Sequence, residues 1–224
     1  MRIWIEKWMT VHAILLLFAT FYFLLTYQIE VIGIATLFSF SAFYFIKYFK
    51  DQQTTFLFEA ANIVTSIRLL LLITLVFFSF SSFQITSIAF IVLVLDGLDG
   101  YLARKHKTTS SFGEYLDMET DALYVLTLTC LLYQNGTFGL WIISLGLLRY
   151  LYFIALLFFK EPEQKEERVF RARLIAVILM GSLIAGFALP FSIARPALVI
   201  AAILVFYSFG MSFWAVLKYN FFKT

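Results

Sequence analysis

The sequence predicts an all-α, polytopic membrane protein. Of its 224 residues, 62% are hydrophobic and 14% are charged, whereas a soluble domain is about half apolar and roughly a quarter charged. The apolar residues form long continuous runs, and a helix needs about 20 of them to cross the hydrocarbon core of a bilayer. Lysine and arginine collect between alternate runs, as expected of loops on one side of a membrane.

Eight apolar segments are predicted to span the membrane as helices. Transmembrane strands would alternate apolar and polar residues over about ten positions, and the runs at 69–78 and 174–189 do not alternate. Residues 49–61 mix charged and aromatic side chains, which predicts an amphipathic helix at the interface. The predicted division is two extra transmembrane helices in 1–48, an interfacial helix in 49–61 and a six-helix core in 62–224. The predicted spans are 9–27, 31–48, 62–82, 84–105, 111–134, 138–159, 171–189 and 194–217.

The distribution of charge predicts orientation and partners. Almost all Lys and Arg residues fall on one side of the eight-span arrangement, and Arg195 falls on the other. Both termini are therefore expected in the cytoplasm, with the protein in a bacterial inner membrane. The net charge of +3 lies in short patches that suit anionic head groups, so the bilayer is the predicted partner and nucleic acid is not. The first apolar run continues to Tyr27, too long for a cleaved signal peptide, and the single Cys130 excludes an intrachain disulfide.

Four aspartates at the fourth and fifth predicted spans indicate a functional site. Asp96 and Asp99 are three residues apart and Asp117 and Asp121 are four apart, so each pair shares one helix face. A short basic turn makes the two helices antiparallel neighbours, which directs the carboxylates into one cavity. Like charges crowded at one site need compensation, and an all-oxygen donor set suits Mg²⁺ or Mn²⁺, with two ions expected. The alternative is helix-end carboxylates that are solvated or paired with the basic turn.

These residues also carry a family resemblance. Their spacing resembles the signature of the CDP-alcohol phosphotransferases at all eight fixed positions. Those positions are Asp96, Asp99, Gly100, Ala103, Arg104, Gly113, Asp117 and Asp121. Upstream, the segment from Asn62 through Thr65 to Arg68 resembles the Asn-x-x-Thr-x-x-Arg motif that begins the first core helix of that family. The resemblance covers about residues 60–217 and leaves the first two spans outside it.

The resemblance implies a fold, a reaction and roles for individual residues. It implies a six-helix core that forms homodimers, with a cavity open to the cytoplasm. The implied reaction transfers a phosphatidyl-type group from a CDP-linked lipid, CDP-diacylglycerol above all, to the hydroxyl of a small alcohol and releases CMP. The implied metal ligands are Asp96, Asp99, Asp117 and Asp121, and Asp121 is also the implied general base. The implied contacts to the CDP-lipid are Asn62, Thr65, Gly100, Arg104 and Ser110.

Further arginines bear on the acceptor. Arg149 falls in the middle of the sixth predicted span, where an unpaired cation costs roughly 2.5 to 3.5 kcal/mol. Its partner is either a phosphate on the acceptor or a carboxylate such as Glu119 or Asp121. Three arginines lie where the preceding loop meets the seventh predicted span: Arg168, Arg171 and Arg173. They either bind a phosphate or keep this end of the helix on the cytoplasmic side, as the positive-inside rule describes. If they bind, a phosphorylated acceptor such as glycerol 3-phosphate or inositol phosphate is favoured over serine or choline.

Two other functions compete with the transferase. A transporter or channel would use the carboxylates to bind and release a cation, yet this leaves Ala103, Arg104 and Gly113 at their offsets unexplained. An inactive scaffold would keep the fold but has no need of all four aspartates. The sequence therefore favours the transferase.

Overall fold

The protein is helical throughout the part of the chain that the computed structural model describes, residues 2–51, 59–106, 110–159 and 166–221. Side chains are described for these residues except 2–3, 51, 99–106 and 166–169. No strand occurs within these ranges, which confirms the predicted all-α class. The helices are α1 (Arg2–Thr26), α2 (Glu30–Asp51), α3 (Ala60–Phe77), α4 (Ser82–His106), α5 (Ser111–Gln134), α6 (Trp141–Leu156), α7 (Glu166–Ala188) and α8 (Phe191–Phe221).

Five of these helices are long and apolar enough to cross a membrane, which confirms a polytopic membrane protein. They comprise Trp4–Thr26, Glu30–Lys50, Ala60–Phe77, Phe170–Ala188 and Phe191–Phe221. Two more helices have shorter apolar parts, Ser82–Leu98 and Trp141–Leu156. The fifth helix carries four acidic residues between Glu114 and Asp121. These acidic residues make α5 less apolar than the five helices above, and the count of eight spans stays a prediction.

Several helix bounds differ from the predicted spans, and the difference after the third span has a local cause. The third span was expected to reach residue 82, but α3 ends at Phe77 and α4 begins at Ser82. Ser81 caps α4, because its backbone N–H donates to Oε1 of Gln84 at 2.9 Å and its Oγ accepts from the Gln84 N–H at 3.4 Å. This reciprocal arrangement is a capping box, a local signal inside an otherwise apolar stretch. The predicted interfacial helix at 49–61 falls mostly outside the described residues, since α2 continues to Asp51 and the description resumes at 59.

The chain forms two compact units, residues 1–127 and 128–224, with the boundary inside α5. In the first unit α1 and α2 form an antiparallel hairpin. Tyr27 adopts a φ of 59° and its N–H donates to the Phe23 carbonyl at 2.7 Å, a left-handed ending that stops α1. Helix α2 then packs on α3 where Gly33 has no side chain, because a Cβ there would lie 2.7 Å from the Phe77 ring.

The second unit contains the end of α5 together with α6, α7 and α8. Helices α7 and α8 pack along each other, with Gly186 allowing a close approach: its Cβ would meet Leu132 at 3.0 Å and Leu198 at 3.3 Å. In both units large apolar side chains cover the outer surface, for example Phe18, Phe38 and Phe158, which are 69%, 70% and 78% exposed. Such surfaces suit lipid rather than water.

Candidate metal centre

Three of the four predicted aspartates meet in the first unit. Asp96 comes from α4, and Asp117 and Asp121 come from successive turns of α5. Each offers a carboxylate oxygen, and these oxygens all lie within 4.8 Å of one another. The sequence-based expectation of one acidic cluster is therefore confirmed for these three residues. Asp99 lies on α4 three residues after Asp96, but its side chain is outside the described set.

Arg68 lies at the centre of the cluster. Its Nη1 donates to Oδ1 of Asp117 at 2.7 Å, its Nη2 lies 2.9 Å from Oδ1 of Asp96, and Nη2 also donates to Oδ1 of Asp121. The guanidinium is planar with donors in a fixed fork, so it can serve several carboxylates at once. One guanidinium is thus shared among three carboxyl groups.

Burial differs sharply across the cluster. The Arg68 side chain is 1% exposed, whereas those of Asp96, Asp117 and Asp121 are 28%, 42% and 34% exposed. The arginine therefore lies on the buried side of the cluster, and the carboxylates lie on its solvent-accessible side. A cation or a phosphate can approach the carboxylates without passing through the protein.

The position of Arg68 follows from the pattern of α3. Asn62, Thr65 and Arg68 recur every three residues and share one buried face, which continues into Leu69 and Leu72. The hydroxyl of Thr65 donates to the Ala61 carbonyl at 3.0 Å, one turn back. The apolar residues beyond Arg68 pack in the core, so the polar end of the face is held against α4 and α5.

The first turn of α5 is fixed against this face. Ser110 caps the helix, with its Oγ accepting from the Gly113 N–H at 3.1 Å. Gly113 lies so close to α3 that a Cβ would sit 2.5 Å from Oδ1 of Asn62. Asn62 in turn donates to Oε2 of Glu59 at 3.1 Å. Farther along α5, the Tyr124 hydroxyl donates to the Ala89 carbonyl of α4 at 3.3 Å. The two aspartates of α5 lie between these two anchor points.

The cluster fits a divalent cation. Oxygens bound to one Mg²⁺ at about 2.1 Å lie roughly 3 to 4 Å apart, so oxygens within 4.8 Å of one another need only a small closure. Carboxylates are also the donor type that Mg²⁺ and Mn²⁺ prefer. The residues that would hold an ion are Asp96, Asp117 and Asp121, with Asp99 on the same helix as Asp96.

The other predicted site residues are described only in part. Asn62, Thr65 and Ser110 lie at or near the cluster as described, and the side chains of Gly100, Arg104 and Arg168 fall outside the described set. In the second unit Arg149 is half-buried, while Arg171 and Arg173 are exposed at the start of α7. Arg171 lines a small cavity together with Tyr207, Ser208 and Ser212 of α8. The contacts of these residues with CDP or an acceptor stay predictions.

The sequence reasoning missed Arg68 as a site residue. Arg68 belongs to the upstream motif, but the sequence alone predicted no role for it. The available signal was its position inside a predicted span, directly before the continuous apolar run at 69–78, where an arginine needs acidic partners.

Apolar helices arranged around a buried arginine and three carboxylates define an integral membrane protein with a candidate divalent-metal centre. The family model of the CDP-alcohol phosphatidyltransferases matches residues 58–217, and the chain belongs to that family. It is therefore a membrane transferase of phosphate-containing groups, in a family that generally depends on divalent metals and serves phospholipid biosynthesis. Neither the curated proteins nor the solved structures gave a match.

Proposed function

We propose that the protein transfers a phosphatidyl group from CDP-diacylglycerol to the hydroxyl of a small acceptor alcohol and releases CMP. The observation that carries this proposal is the convergence of Asp96, Asp117 and Asp121, whose carboxylate oxygens lie within 4.8 Å of one another on two family-signature helices. Phosphoryl transfer depends mainly on positioning and on offsetting charge, and the cluster is suited to both.

The reaction is a single displacement at phosphorus. The acceptor oxygen attacks the lipid-side phosphorus of the pyrophosphate and a new P–O bond forms. The bond from that phosphorus to the bridging oxygen breaks, and CMP leaves with the electron pair. Asp121 takes the proton of the acceptor hydroxyl, a role that requires hydrogen-bond contact with it. Its side chain is 34% exposed, which supports access from the open side of the cluster.

The remaining residues bind and orient. Asp96, Asp99 and Asp117, with Asp121, would hold two Mg²⁺ or Mn²⁺ ions, and ions bound there would offset charge on the phosphates. In the metal-free protein Arg68 holds the carboxylates together through its three contacts, and a bound ion would take over part of that role. The CDP moiety is bound by Asn62, Thr65, Gly100, Arg104 and Ser110.

We further propose that the acceptor carries a phosphate, as in glycerol 3-phosphate or inositol phosphate. Arg149, Arg168, Arg171 and Arg173 are the residues that would bind it. Arg171 has the strongest support, because it lines one small cavity together with Tyr207, Ser208 and Ser212, whose hydroxyl groups are further possible donors to a phosphate. Arginine suits phosphate because its donors match two phosphate oxygens at once.

The protein is proposed to act as a homodimer in a bacterial inner membrane, with both termini and the site facing the cytoplasm. The positive-inside distribution of Lys and Arg supports this orientation. The proposed division of the chain is two additional helices in 1–48, an interfacial segment in 49–61 and the catalytic core in 62–224.

An acceptor screen tests the proposal. Purified protein in lipid nanodiscs is given CDP-diacylglycerol, Mg²⁺ or Mn²⁺ and one acceptor at a time, and CMP is measured. We expect CMP release that requires both metal and acceptor, fastest with a phosphorylated acceptor. Asp121→Asn should slow release by at least about 100-fold, the lower range for loss of a general base. Glu114→Gln is the matched control, since it removes an exposed carboxylate from the first turn of the same helix.

Two results would overturn the proposal. One is the absence of CMP release with every acceptor from folded protein. The other is an Asp121→Asn variant that keeps most of the wild-type rate. Metal-independent cation flux into liposomes, without CMP release, would favour a transporter instead.

A further inference from the structure

A buried histidine of the first helix contacts the back of the metal-site helix. His12 lies on α1 and is 0% exposed, and Glu119 lies on α5 and is 4% exposed. Nε2 of His12 is 3.8 Å from Oε2 of Glu119. The other ring nitrogen, Nδ1, shares a hydrogen bond of 2.7 Å with the Ser39 hydroxyl of α2. One imidazole thus joins three helices.

The surroundings of His12 hold its ring in one orientation. Trp8 stacks on the imidazole with centroids 5.0 Å apart, and Phe40 meets it edge-on at 5.2 Å. The indole N–H of Trp8 donates to the Ser39 carbonyl at 2.9 Å. The Ser39 hydroxyl bonds to Nδ1, which leaves Nε2 as the ring nitrogen that faces Glu119.

Glu119 is placed to control the direction of the metal-site aspartates. Each residue of an α-helix turns the chain by about 100°, so Glu119 projects roughly opposite to both Asp117 and Asp121. The front of α5 therefore faces Arg68, while its back is held through Glu119 by the N-terminal hairpin. A second contact lies two turns earlier, where the Phe43 ring of α2 stacks on Phe112 of α5 at 4.5 Å. Two contact points on one helix resist its rotation about its own axis.

We propose that His12 is a positioning residue: through Glu119 it fixes the rotation of α5 and hence the direction in which Asp117 and Asp121 face. The family match begins at residue 58, so the family assignment does not account for α1 and α2. On this proposal the N-terminal hairpin is part of the catalytic apparatus rather than only a membrane anchor. The inference rests on the proposed transferase function for its kinetic test and on the acidic cluster alone for its binding test.

The test is a double-mutant cycle with two readouts. His12→Phe keeps the aromatic packing but removes both polar contacts, Glu119→Gln removes the charge, and the third variant combines the two changes. The first readout is the dissociation constant for Mn²⁺, measured by the electron paramagnetic resonance of free Mn²⁺. The second is kcat for CMP release and KM for CDP-diacylglycerol. Thermal unfolding of each variant is recorded alongside.

We expect His12→Phe to weaken Mn²⁺ binding about tenfold and to lower kcat about tenfold, because small misplacements of positioned groups cost up to about 100-fold. The KM for the lipid donor should change less than about twofold. The double variant should be no worse than His12→Phe, because removing one member of a buried pair is costly mainly through the charge left behind. Phe18→Ala on α1 is the control, since this side chain is 69% exposed on the outer surface and both readouts should stay at wild-type values.

Wild-type Mn²⁺ binding and kcat in folded His12→Phe would overturn the inference, as would effects of the two single changes that simply add. If His12→Phe does not fold, Ser39→Ala removes only the Nδ1 partner, and the same loss of Mn²⁺ affinity is expected at a smaller size of about threefold. Unchanged Mn²⁺ affinity in Ser39→Ala would then contradict the proposal. Absence of CMP release from wild-type protein would contradict the proposed function, and the Mn²⁺ readout would still decide the role of His12.

Discussion

Replacing Arg68 by glutamine should destabilise the metal-free protein and make it more responsive to metal. Arg68 is 1% exposed and contacts Asp96, Asp117 and Asp121 through two nitrogens. Removing one partner of a buried ion pair costs about 3 to 5 kcal/mol, because it leaves charge buried without compensation. The Arg68→Gln variant leaves three carboxylates to repel one another across oxygens that lie within 4.8 Å.

The exposure of the carboxylates to solvent decides which part of the range of about 3 to 5 kcal/mol applies. The carboxylates are 28% to 42% exposed, so water screens part of their repulsion and the lower end applies, about 3 kcal/mol. For a chain of this size 1 kcal/mol corresponds to about 2 to 4 °C in the unfolding temperature, so a decrease of about 6 to 12 °C is expected in EDTA. Arg68→Lys keeps the positive charge but lacks the planar fork of donors. Its unfolding temperature should lie between those of Arg68→Gln and the wild type.

Thermal unfolding in detergent, with EDTA and then with saturating Mn²⁺, measures both effects. A divalent ion at 100 times its dissociation constant stabilises by about 2.7 kcal/mol. Its stabilisation should be greater in Arg68→Gln, where the ion has no guanidinium to compete with. Arg195→Gln, an exposed arginine near the start of α8, serves as the control. An Arg68→Gln protein that unfolds within 2 °C of the wild type in EDTA would refute the reasoning, as would equal stabilisation of both by Mn²⁺.

Two further variants test the first turn of α5. Gly113→Ala places a Cβ 2.5 Å from Oδ1 of Asn62, so Asn62 must move, and KM for the CDP-lipid should rise about tenfold for the loss of one well-placed polar contact. Gly210→Ala is the control, because a Cβ there meets nothing within 4 Å and KM should stay unchanged. An equal effect of the two variants on KM would contradict the packing argument. Ser110→Ala removes the cap of α5 and should cost about 1 kcal/mol of stability, measured as a decrease of about 2 to 4 °C in the unfolding temperature. Ser110→Asp can still cap the helix and should keep the wild-type unfolding temperature.

The presence of the helices was predictable, because a long apolar run inside a membrane has few possible structures other than a helix. The fifth helix matches its predicted bounds, Ser111–Gln134, and the polar residues around it explain both ends. The exact end of α3 was not predicted, because Phe78 and Phe80 extend the apolar character of the sequence beyond Phe77, where the helix ends. Phe78 is already extended, with φ −122° and ψ 143°, and the reciprocal bonds of Ser81 and Gln84 begin α4, a local effect that an average over many residues hides.

The acidic cluster was predictable in part. Spacing along α4 and α5 was enough to bring Asp96, Asp117 and Asp121 together, since side chains three or four residues apart share a helix face. The arginine among them was not assigned, because the segment that carries it lies 49 residues before Asp117. The contact from His12 to Glu119 depends on how α1 packs against α5, and no local pattern encodes that packing.

The central claim is that the aspartates of α4 and α5 hold divalent metal where the CDP-linked lipid is cleaved. Anomalous diffraction at the manganese edge, from crystals grown with Mn²⁺ and CDP, tests it most directly. The account predicts anomalous density bounded by the carboxylates of Asp96, Asp117 and Asp121, with a phosphate of CDP beside it. Aspartates that point apart, with no manganese between them, in crystals of active protein would contradict it.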